Sequence, residues 1–76
     1  MNTLFEMAMD VAVQRLQLGD VVLLDLPDQE GEVEAKVLRP IERAEQTVRA
    51  LLSVEGRDEF VKEWSLGEMV TVVRGP

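Results

Sequence analysis

The sequence predicts a small all-β protein, an antiparallel barrel of five or six strands. Three observations carry that expectation. Twelve valines stand against one isoleucine and five alanines, and β-branched side chains pack better on pleated strands than on helices. Glycines at 19, 31, 56, 67 and 75 separate short apolar runs, the spacing of a meander. Several of those runs alternate apolar and polar residues with period two. At 76 residues the chain makes one domain. A core of valine and leucine with only three aromatics is thin, which suits a barrel closed on itself.

The elements follow in chain order. Phe5, Met7, Met9, Val11 and Val13 alternate strictly, which predicts a short strand over about 8–14, with 1–7 an N-terminal extension and 8–76 the barrel domain. Val21-Val22-Leu23-Leu24 follows Gly19-Asp20 and stops at Leu26-Pro27-Asp28, where proline and a polar residue turn the chain. From Glu32 to Val37 the alternation is complete, with Val33, Ala35 and Val37 on one face. From Thr47 to Glu55 it places Val48, Ala50, Leu52 and Val54 inward. Glu55-Gly56-Arg57 turns into Asp58–Trp64 and sets Leu52 opposite Phe60, Val48 opposite Trp64, and Arg49 opposite Glu63. Met69–Val73 closes the set, with Val70 and Val72 on one face.

Two segments also fit helices, which leaves an α+β arrangement as the alternative. Thr3-x-x-Glu6 is a capping box and Gly19 a stop, so a helix near 4–17 is allowed. Ile41, Ala44, Val48, Leu51 and Leu52 form a stripe over 40–55, with Pro40 suited to a first turn. Thr47 and Val48 are poor helix formers, and Ala50 and Val54 fall off that stripe.

The residues Val11-Ala12-Val13, Leu16-x-Leu18-Gly19-Asp20-Val21-Val22 and Leu66-Gly67-Glu68-Met69-Val70-Thr71-Val72-Val73 resemble the entry and closing strands of small bacterial Src-homology-type barrels. The resemblance spans roughly residues 9–75 and rests on turn and core positions. It implies a fold, one that transcription and translation factors also carry, and no binding residue.

The composition argues against enzymatic chemistry. There is no histidine, cysteine or tyrosine, so the usual acid–base group and the thiol and phenol nucleophiles are missing. Two serines, three threonines and two lysines have no neighbouring base to activate them. The glycines do not cluster into a phosphate-cradling loop. Metal sites built on thiolate or imidazole are excluded. Aligning Gly31 with the glycine of a calcium-binding loop puts Leu26 and Val37 at ligand positions, where both fail. The expectation is therefore no catalytic residue, no metal and no cofactor. No run approaches the roughly 18 apolar residues of a membrane span and no secretory leader is visible, so the chain is expected to be soluble and cytoplasmic, with no membrane partner.

Charge is the remaining signal. Fifteen acids against eight bases give −7, and residues 1–38 alone hold eight acids and two bases. That field repels a polyanion, so no direct nucleic-acid binding is expected, whereas a basic protein surface is attracted. Asp25 to Glu34 carries five acids and no base. Asp28, Glu30, Glu32 and Glu34 are its candidate protein-binding residues, with the three glutamates placed in a row at spacings of about 6.6 Å. Trp64, the single tryptophan, belongs either to the core or to an exposed anchor for a partner. Phe5, Met7 and Met9 form an apolar surplus through which the chain could self-associate. The function expected is that of an acidic protein-interaction module. The alternatives are an acidic mimic of nucleic acid that inhibits a DNA-binding regulator, and a structural subunit of a larger assembly.

Overall fold

Period-two alternation becomes strand where one face can be buried, and the molecule follows that rule almost throughout. The computed structural model describes residues 7–74. The strands are β1 (Met7–Ala12), β2 (Val21–Asp25), β3 (Glu32–Val37), β4 (Glu42–Arg43), β5 (Thr47–Ser53), β6 (Phe60–Ser65) and β7 (Met69–Arg74). All pairings among these seven are antiparallel. The helices considered near 4–17 and 40–55 do not form in the described residues; β1, a single 3-10 turn, β4 and β5 stand there instead.

The order across the sheet is β1-β7-β2-β3-β5. β6 pairs with β5 over Thr47–Leu52 and so occupies one whole edge of that strand. β3 and β4 share the other edge, β3 against Leu52 and Ser53, β4 against Val48 and Arg49. The break between them contains Pro40, which has no N–H to give a ladder. The turn after β4 is closed by the Ala44 N–H donating to the Thr47 carbonyl at 2.9 Å. The sheet curls into a half-barrel. The small all-β antiparallel fold expected from the sequence is thus the one adopted, with its outermost strands, β1 and β6, unpaired with each other among the described residues.

The concave side holds the core. Val22, Ala35, Val37, Val48, Leu52 and Val72 are fully buried, joined by Leu24, Ala50, Val54, Trp64 and Val70. Those of β3, β5, β6 and β7 lie on the face expected from the sequence, whereas the apolar run of β2 assigned no face to Val22 and Leu24. The hairpin β5–β6 has the expected register, Val48 opposite Trp64, Arg49 opposite Glu63 and Leu52 opposite Phe60. Its turn is closed by the Arg57 N–H on the Val54 carbonyl at 3.2 Å. Gly56 sits at φ +87°, the conformation a type II turn demands of its third residue and one that a Cβ disfavours.

The N-terminal strand is shorter than the expected 8–14. It ends at Ala12 and gives way to a 3-10 turn over Val13–Arg15. The Val13 N–H donates to the Glu68 carbonyl at 2.8 Å, and the Gln14 side chain accepts the Gly67 N–H at 3.0 Å. These bonds swing Val13 into the core, where it is fully buried. Met7 belongs to β1 rather than to a preceding extension, and Phe5 lies outside the described residues.

The free edge of β6 carries its own protection. Lys62 stands opposite Ala50, a core position, yet is exposed. A charge in inward register on an edge strand opposes pairing with a further strand.

Candidate functional site

The acidic segment is built by two adjacent strands and the turn between them. Within β2–β3 the pairs facing away from the core are Val21 with Lys36, Leu23 with Glu34, and Asp25 with Glu32. Asp25 and Glu32 are thus directly opposed like charges, an arrangement that costs stability. Glu32 and Glu34 share the outer face of β3 and are exposed. Glu30 does not join their row, because it lies in the turn before the strand begins. Asp28, on that same turn, is held by Arg57, whose Nη2 donates to Oδ1 at 2.9 Å and to Oδ2 at 2.7 Å.

That ion pair joins parts of the chain 29 residues apart. It ties the β2–β3 turn (26–31) to the β5–β6 turn (54–59), bringing Glu55, Asp58 and Glu59 beside the acids already named. Asp25, Asp28, Glu30, Glu32, Glu34, Glu55, Asp58 and Glu59 are all exposed at this end of the half-barrel. Arg57 is the one base within the two turns.

A cleft opens between the turns. β3 pairs with β5 only at Lys36–Ser53 and Val37–Leu52, so the two strands part toward the acidic end. The space is about 370 Å³ and is lined by Gln29, Val33, Glu34, Val54 and Glu55. Two carboxylates wall an apolar floor, and the Arg57–Asp28 pair lies beside it. Such a cleft suits a long cationic side chain, which presents an aliphatic stem and a charged head. The pair itself is partly exposed, with the Asp28 side chain 67% accessible, and pairs of that kind contribute about 0.2–1 kcal/mol. Arg57→Gln should therefore lower the urea midpoint only slightly, while amide resonances of 26–31 and 54–59 shift together. Shifts confined to 54–59 would show that the two turns are not coupled.

Trp64 is a correction to its candidate role. It is 5% exposed and packs in the core opposite Val48, so it does not anchor a partner from the surface. No group of His, Cys, Asp or Glu among the described residues is arranged to hold a metal ion. No helix of the described residues is long and apolar enough to cross a membrane.

The acids of the β5–β6 turn escaped the sequence reading. Counted by halves, residues 39–76 are nearly neutral, because their six bases mask three acids in the five residues 55–59. The hairpin register already placed those acids on a turn; what was missing was the neighbouring turn.

No protein-family model matches the chain, and no curated protein or solved structure does either.

Proposed function

We propose that the chain is a non-enzymatic interaction module that binds a basic protein surface through its acidic end. The observation that carries this reading is the convergence of two acidic turns, tied by Asp28 and Arg57 around a cleft with carboxylate walls. Like charges held together repel and are retained at a cost, and the field they create speeds the approach of an opposite charge. The missing histidine, cysteine and tyrosine leave no strong candidate for a catalytic base or nucleophile.

A decalysine peptide is a suitable probe of this end. Binding should shift amides of 25–34 and 54–59 and weaken steeply as salt rises. In the triple variant Glu30→Gln, Glu32→Gln, Glu34→Gln the fold should persist, because all three side chains are exposed. Exposed pairs contribute about 0.2–1 kcal/mol each, so affinity should fall roughly three- to a hundredfold. A 20-base-pair DNA duplex should show no micromolar binding at physiological salt. Unchanged affinity and salt response in the triple variant, or shifts spread evenly over the molecule, would reduce the acidic end to a solvated surface.

A further inference from the structure

β2 reads Val21-Val22-Leu23-Leu24, apolar on both faces. Continuous apolar runs belong to strands covered on both sides, whereas a strand with one wet face alternates. Here Val22 and Leu24 fill the core, but Val21 and Leu23 point to the convex side, where both are only half-buried. β7 repeats the pattern. Val70 and Val72 are buried, while Met69, Thr71 and Val73 face outward, with Met69 57% exposed. Val21 stands directly beside Val73 across the β2–β7 ladder. The outer face of these two strands is thus largely apolar, interrupted by Thr71, whose hydroxyl donates to Asp10 Oδ1 at 2.8 Å. Its chemistry changes sharply one strand further on, where Glu34 stands beside Leu23, and Glu32 beside Asp25.

From this juxtaposition we propose that the convex face of β7 and β2 seats an amphipathic basic helix of a partner protein, with its cationic flank on Glu32 and Glu34. The dimensions agree. Neighbouring strands lie about 4.8 Å apart, and a helix is about 10 Å across, so a helix centred on β2 reaches β7 on one side and β3 on the other. Glu32 and Glu34 are two residues apart on one strand, about 6.6 Å. Bases at i and i+4 on a helix are about 6 Å apart along its axis. The complementary charge decides the occupant: a second copy of this acidic chain would bring a further −7 to the same face. The charged half of the proposal rests on the acidic-end reading above; the apolar half does not.

The test uses the full chain and three peptides. One is a 14-residue amphipathic helix of leucine and lysine, one carries the same lysines with serine in place of leucine, and one carries glutamate in place of lysine. The leucine–lysine peptide should bind at least about tenfold more tightly than the serine–lysine peptide, with amide shifts at 21, 23, 71 and 73 as well as 32 and 34. The leucine–glutamate peptide should not bind. Leu23→Ser should erase the tenfold preference and leave serine–lysine binding unchanged, whereas Glu32→Gln with Glu34→Gln should weaken both lysine peptides. Val73→Thr, nearly equal in volume, repeats the test should Leu23→Ser fail to fold. Equal binding of both lysine peptides would overturn this proposal and leave the acidic-end reading standing. Loss of preference for lysine over glutamate would overturn it as well, and so would a dimer of the free chain, measured by sedimentation, that Leu23→Ser dissociates. Failure of both lysine peptides to bind would remove both readings.

Discussion

Leu52→Ala should unfold much of the population at room temperature, whereas Leu51→Ala should leave a folded chain with a modestly lower urea midpoint. Leu52 is fully buried in the middle of β5, opposite Phe60 and beside Val37 of β3. Truncating such a leucine removes its transfer energy and leaves a cavity, together about 2–5 kcal/mol. A domain this small has about 5 kcal/mol in total to lose, the low end of the usual range. Leu51 lies one residue away on the outer face, half-buried against Val61. Its truncation exposes the site to water rather than creating a void. Urea titration followed by fluorescence separates the two outcomes. Equal midpoints for both variants would mean that β5 does not present alternate faces to core and solvent.

Trp64→Ala should be at least as damaging, at about 3–5 kcal/mol. The indole is 5% exposed and stands opposite Val48, which is fully buried. It closes the concave side near the outer strand β6, where the half-barrel has no further strand to supply packing. Trp64→Phe keeps an aromatic ring at the site and should cost clearly less. In the wild-type protein the tryptophan emission should be shifted to short wavelength and move red on unfolding, because the ring passes from an apolar site into water. An emission maximum already at the solvent-exposed position in the native protein, or a Trp64→Ala variant as stable as wild type, would return this residue to the surface.

Much of the fold was legible along the chain. Val48, Ala50, Leu52 and Val54 alternate with polar or outward residues, and slipping by one position would expose all four. The helix alternative over 40–55 lost for the same reason: only a strand buries Ala50 and Val54 together with Val48 and Leu52. The acidic site was legible only in part. Glu32 and Glu34 occupy the expected outer face of β3, but Glu30 falls in the turn, and Asp28 is engaged by an arginine that lies in another hairpin.

The sequence by itself determined most of the strands, the buried face of those that alternate, and the register of the β5–β6 hairpin. These are local properties, governed by side-chain period and by turns of a few residues. Tertiary structure decided the rest. It set where β3 parts from β5, and so the cleft. It brought the turns 26–31 and 54–59 together, buried Trp64, and drew Val13 out of its strand into a 3-10 turn through bonds to 67 and 68. It also left Val21, Leu23 and Val73 half-buried together on the convex face. Each of these depends on how the sheet curls and on pairings between residues distant in the chain, and no local pattern encodes that geometry.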